Sequence, residues 1–237
     1  KDVVASLTRW MPRDPMGQLL RALNEELVAL DDRTFRWRLK APFTKMKMAL
    51  GKNATPMAFI MPERIAKTDP FQQISEYIGS GPFRFVRNEW VPGAKAVFAK
   101  FDGYVPRNEP ADHLAGGKVV RIQELDIRVI PDGATVVSAM RSGEIDYMQY
   151  APFDMLSALE RDRRITLVNF HGLEQFTGHY RTNAASGPFA DPAIRRVLLS
   201  LVDQTEVMTG MGLTDRYSRS CNAFFICGSP YESDVGT

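Results

Sequence analysis

The sequence predicts a mixed α/β fold, and three observations carry that reading. Strand and helix patterns alternate across residues 118–168. Phe35, Trp37 and Leu39 alternate with Arg36 and Arg38 in period two, as a half-buried strand does. Ile194, Val197, Leu198 and Leu201 recur at i, i+3, i+4 and i+7, the stripe of an amphipathic helix. With 237 residues, there is material for one large domain or two small ones.

In chain order, residues 2–10 read as a helix with Val3, Val4 and Leu7 on one face. Asp14 is placed to cap a second helix running to Leu23, because its side chain can accept from an early helical N–H. Residues 26–30 and 34–39 flank Asp31-Asp32-Arg33 and predict a β-hairpin. Residues 42–50 predict a short helix with Met46 and Met48, read as flexible core filler ahead of the alternative, a promiscuous binding surface. Residues 62–66 predict another, with Pro62 at its first position. Phe83, Phe85, Val97, Phe98 and Phe101 suggest two strands joined through the Trp90-Val91-Pro92-Gly93 turn. Residues 107–117 are a polar loop. Residues 118–130 alternate and predict a long strand with an irregularity near Glu124. Asp132 caps a helix bearing Val136, Val137 and Met140. A strand at 145–148, a helix at 153–161 and a strand at 165–168 complete the alternation and predict partly parallel pairing. Residues 175–183 are extended, and Asp191-Pro192 opens the last clear helix.

Composition narrows the function classes. The chain is 44% hydrophobic and 24% charged, as ordinary globular domains are. Its net charge of +2, with Lys and Arg spread along the sequence, argues against nucleic acid or an anionic membrane as partner. No apolar run approaches the ~20 residues of a membrane helix. The chain opens at Lys1 inside a helical pattern, without start Met or signal peptide, and stops in polar loop sequence; it reads as a piece of a longer protein.

The motifs offer little chemistry. Gly79-Ser80-Gly81 lacks the Gly-Lys-Ser/Thr of a phosphate loop, and Pro82 removes a backbone donor, so it reads as a turn. His113, His171 and His179 stand alone, without metal-ligand spacing. No Gly-x-Ser-x-Gly elbow supports a hydrolase. Catalytic residues, cofactor and metal are all expected to be none. Cys221 and Cys227, six apart, suit a local disulfide of an exported protein; two separate buried thiols are the alternative.

Several short stretches together resemble one family. Lys1-Asp2-Val3-Val4-Ala5-Ser6-Leu7 is similar to its "DVVFSL" helix, and residues 32–39 to its "D-x-T-x-x-x-x-L" hairpin. Gly79-Ser80-Gly81-Pro82-Phe83 resembles "GTGPY/F", and Ser142-Gly143-Glu144-Ile145-Asp146 resembles "x-GEID". Residues 188–195 are similar to "PF-x-D-x-x-V-R". Phe101-Asp102-Gly103-Tyr104 stands where the family has "N-x-x-Y-W", with Val105 in place of the second aromatic. In this order, these pieces resemble the solute-binding proteins of ABC importers, in the family of dipeptide, oligopeptide and nickel binders.

The resemblance implies a bilobal fold of the periplasmic-binding-protein type II, with an extra small subdomain on lobe one. It implies residues 1–78 as that subdomain, 79–172 as the α/β core of lobe one, 173–183 as a hinge strand and 184–237 as the start of lobe two. It implies a periplasmic protein that captures a small peptide or other polar organic solute and meets the membrane only through an ABC permease. Gln149 and Tyr150, then Phe176 and His179, are the implied ligand contacts. A sensor or chaperone on the same fold is the alternative reading, and a hydrolase is a lesser one.

Overall fold

The computed structural model describes residues 1–52, 54–112, 115–169, 181–233 and 235. These form two compact units, 1–129 and 130–237.

The first unit opens with α1 (Asp2–Trp10) and α2 (Pro15–Leu23). Asp14, fully buried, caps α2 by accepting from the Gly17 N–H at 2.9 Å, and Pro15 sits where its missing donor costs nothing. Gly17 is needed for close approach: a Cβ there would lie 2.8 Å from the Met11 backbone. Next come β1 (Asn24–Ala29) and β2 (Phe35–Leu39), an antiparallel hairpin with a register shift between Asn24 and Glu26. Asp31 shapes the turn, accepting from the Arg33 and Thr34 N–H groups at 2.7 Å each. Trp37 and Leu39 pack with Leu27 against a core of Leu7, Trp10, Met11, Leu20 and Ala49. Phe35, on the same face but at the hairpin tip, stays exposed.

Two short helices follow, α3 (Met46–Gly51) and α4 (Glu63–Ala66). The first begins four residues later than its periodicity suggested, and Pro62 caps the second rather than entering it. Side chains of α1 hold this segment. Ser6 Oγ accepts from the Met61 N–H and donates to its carbonyl. The nearly buried Arg9 donates to the carbonyls of Thr68 and Gln72 and to the Thr68 hydroxyl, so its charge is solvated by acceptors.

The three-stranded sheet has the order β3 (Phe83–Phe85), β4 (Lys95–Lys100), β5 (Glu124–Arg128), antiparallel throughout. Val97 is fully buried. Tyr77, Phe85, Trp90 and Phe98 stack edge-on and tilted at 5.2–5.9 Å, which fixes the turn after β3.

The second unit contains α5 (Gly133–Ser142), α6 (Leu156–Glu160), α7 (Pro192–Leu201) and α8 (Gln204–Gly210). Asp132, Asp191 and Asp203 each accept from N–H groups of the helix they precede. Val137, Ala139, Leu156 and Leu159 are buried. Cys221 and Cys227 are joined by a disulfide.

Three expectations are corrected. The long strand over 118–130 contracts to Glu124–Arg128. Residues 145–148 and 165–168 form no strand, and no described pairing is parallel. A strand exists only through its ladder, and neither segment has a ladder partner among the described residues. The predicted helix at 153–161 starts as a 3-10 turn, Phe153–Met155, before α6. Most of the extended segment 175–183 lies outside the described residues.

Candidate functional site

The loop 144–152 carries the two described residues of the candidate site, Gln149 and Tyr150, and the ends of α5 set its position. At the helix start, Asp132 accepts from the Thr135 N–H at 2.7 Å and from its hydroxyl at 2.6 Å. At the end, Gly143 takes φ of 76°, a conformation that side chains with a Cβ disfavour, and turns the chain off the helix. The Glu144 N–H then donates to the Ala139 carbonyl at 2.9 Å, closing the C-terminal turn. The loop returns to the other end of α5, where Pro152 packs so close to Gly133 that a Cβ would lie 3.0 Å from its Cγ. Residues 144–152 thus span α5 from C-terminus to N-terminus.

On this loop Gln149 and Tyr150 are neighbours, with Gln149 Nε2 3.4 Å from the Tyr150 hydroxyl. Both are exposed, Tyr150 by 74%. Tyr147 is equally exposed at 74% and was missed by the sequence reading, which placed it inside a strand. Its signal was the Tyr-x-x-Tyr spacing around Gln149. The loop therefore presents two flat phenol faces and an amide with both donor and acceptor. It carries no nucleophile–base pair. Phe176 and His179 lie outside the described residues, as do His113 and His171.

Each unit also has a cavity. In the first, a groove of about 870 Å³ runs between α1, β1 and residues 63–71; Val4, Met11, Leu27 and Phe71 line it, with Arg21 and Lys67 also in its walls. In the second, a cavity of about 420 Å³ at the junction of α7 and α8 is lined by Ser200, Asp203, Gln204, Ser220 and Asn222. Gln204 braces it against the disulfide: its Oε1 accepts from the Cys221 N–H at 2.7 Å, and its Nε2 donates to the Cys221 carbonyl at 3.0 Å. Neither Gln149 nor Tyr150 lines either cavity. Among the described residues, no cluster of His, Cys, Asp or Glu could hold a metal ion. No described helix is long and apolar enough to cross a membrane.

The shifted carboxyls have structural causes. Burial alone would raise the Asp14 pKa, but the Lys52 ammonium and the Gly17 N–H outweigh it and hold the carboxyl below its ordinary value. Hydrogen bonds from the Arg164 side chain and backbone lower Asp162 to about 2. Neither group has the raised pKa of a general acid.

Known proteins resemble the chain along almost its whole length. The family pattern described as bacterial extracellular solute-binding proteins, family 5 Middle, matches residues 1–226. A probable peptide ABC transporter periplasmic-binding protein of Sinorhizobium fredii is 36% identical over 228 residues, 94% of this chain and 42% of that protein. A glutathione-binding protein of Escherichia coli is 25% identical over 171 residues, 72% of this chain and 30% of that protein. The chain thus spans about two fifths or less of the curated relatives it matches. Among solved structures, an ABC transporter-associated periplasmic binding protein from Helicobacter pylori, in complex with the peptide STSA, aligns with a TM-score of 0.69 at 20% identity. That alignment covers 99% of this chain and 47% of the other. A protein from Brucella suis in complex with Fe(III)-EDTA aligns with a TM-score of 0.64 at 19% identity, over 97% of this chain and 44% of its own. These likenesses place the mixed α/β fold among periplasmic binding proteins of type II. The chain belongs to the bacterial extracellular solute-binding proteins of family 5.

Proposed function

We propose that this chain belongs to a periplasmic protein that captures a short peptide or other polar organic solute and delivers it to an ABC import permease. The observation that carries the proposal is the family match over residues 1–226, joined to 36% identity with a probable peptide-binding relative. The chemistry of the loop supports it, since exposed phenols and an amide suit contact with a polar solute and not bond-breaking. Gln149 and Tyr150 contact the solute from the loop after α5; Phe176 and His179 contact it from the 173–183 hinge strand. Residues 1–78 are the small subdomain, 79–172 the core of lobe one and 184–237 the start of lobe two. Solute binding between lobes favours the closed form by the difference in its affinity for the two states, and closure buries it. No step is chemical, so the protein is not an enzyme.

Native mass spectrometry on the full-length protein, purified without refolding, tests this directly. A co-purified peptide or small polar solute supports capture. An empty protein whose melting temperature no di-, tri- or tetrapeptide or glutathione raises would overturn the peptide-class reading.

A further inference from the structure

Arginines scattered in the sequence are assembled by the second unit into one surface. Arg164 donates to Asp162 through Nε at 3.0 Å and Nη2 at 2.7 Å. Arg141, at the end of α5, reaches the same carboxylate with Nε at 3.6 Å and donates to the Ala158 carbonyl at 3.0 Å. Arg216 pairs through Nη1 with Glu160 at 2.7 Å, and the Tyr217 hydroxyl donates to that same carboxylate. Arg161 donates to the Ser157 carbonyl at 2.9 Å. Arg163, next in sequence to Asp162 and Arg164, is exposed and makes no hydrogen bond or ion pair among the described residues. Three guanidinium groups, those of Arg141, Arg164 and Arg216, therefore hold two carboxylates, and Arg161 and Arg163 flank Asp162 in sequence.

Exposure decides the sign of this surface. The side chains of Asp162 and Glu160 are 13% and 27% exposed, whereas those of Arg141, Arg164 and Arg216 are 42%, 69% and 72% exposed. The negative charges lie underneath and pin the guanidinium planes; the positive charges face out. A pinned guanidinium presents its remaining N–H pairs as a preset fork for oxygen anions.

We infer that Arg141, Arg161, Arg163, Arg164 and Arg216 form a docking surface for an acidic protein segment, with Asp and Glu side chains entering the outward forks. Carboxylates at fixed spacings gain from forks held in a fixed register. A fluid anionic bilayer gains chiefly from local net positive charge, which the Asp162 and Glu160 carboxylates under these arginines reduce. The surface lies within one unit and stands independently of the solute reading.

The test is titration of the full-length protein with a fluorescent oligo-glutamate peptide at low and physiological salt. Variants are Arg163→Glu/Arg164→Glu and the milder Arg163→Gln, which removes no contact within the chain. Binding should weaken at least tenfold in the double variant and severalfold in R163Q. It should also weaken with salt as screening shortens from about 30 Å at 0.01 M to about 8 Å at 0.15 M. Circular dichroism and solute retention, unchanged in R163Q, separate loss of this surface from loss of fold or capture. Undiminished peptide binding in R163Q overturns the inference. Binding to phosphatidylglycerol vesicles but not to the peptide also overturns it, in favour of a membrane surface, as does binding to neither.

Discussion

The ion pair between Asp14 and Lys52 offers the sharpest test of how the first unit is held together. Asp14 is fully buried and serves two partners, the Gly17 N–H and the Lys52 ammonium, whose side chain is 24% exposed. The two roles separate by substitution. Asp14→Asn keeps a capping oxygen but leaves Lys52 without its counter-charge; because the ammonium can turn toward water, the loss should be about 1–2 kcal/mol. Lys52→Met strands a carboxylate that has no route to water, and should cost about 3 kcal/mol. The double variant removes both charges and should cost about as much as D14N alone, giving a coupling energy of about 3 kcal/mol. Urea unfolding followed by tryptophan fluorescence is the assay, since Trp10, Trp37 and Trp90 all lie in the first unit. At a slope of about 3 kcal/mol per M, K52M should lower the midpoint by about 1 M. A K52M variant no less stable than D14N, or a coupling below about 0.5 kcal/mol, would refute this reasoning. The pH dependence has a definite sign. The Asp14 pKa is lowered on folding, so its stabilisation is complete above the unfolded value near 3.9 and is lost as pH falls through the lower folded value. D14N should abolish that part of the acid sensitivity.

Three further outcomes follow from individual residues. Gly17→Ala should destabilise the first unit by about 1–3 kcal/mol, although alanine normally favours a helix, because the new Cβ meets the Met11 backbone at 2.8 Å; a stabilised variant in the same urea assay would contradict the packing. The unreduced, denatured protein should show no thiol to a colorimetric reagent and two after reduction, and Cys221→Ser/Cys227→Ser should lower stability by about 2 kcal/mol, the chain-entropy value for so short a loop. Tyr150→Ala should leave the melting temperature within about 1 °C, since the side chain is 74% exposed, while lowering solute retention in native mass spectra; unchanged retention would remove Tyr150 from the site.

Local physics explains which parts of this fold were legible in the sequence. The caps at Asp14, Asp132 and Asp191 were readable because a cap is a contact between a side chain and N–H groups two or three residues away. The hairpin at Asn24–Leu39 was readable for a related reason, since its turn and alternation are both local. Residues 145–148 and 165–168 failed because apolar alternation states only that a segment is able to pair. Whether it does depends on a ladder partner distant in sequence, which no local pattern encodes. The same distinction governs the candidate site. Gln149 and Tyr150 were named through a resemblance, not through their own chemistry, since an exposed amide and phenol look alike in a solvated loop and in a ligand contact. Tyr147 was hidden by the strand predicted over 145–148, which the structure replaces with an exposed loop. The arginine surface was invisible for the opposite reason. Its members are separated in sequence by up to 75 positions, from Arg141 to Arg216, and only the convergence of Arg141, Arg164 and Arg216 on Asp162 and Glu160, beside Arg161 and Arg163, makes them one feature. A binding surface is a property of convergence, and in this chain the fold supplies the convergence while the sequence supplies only the parts.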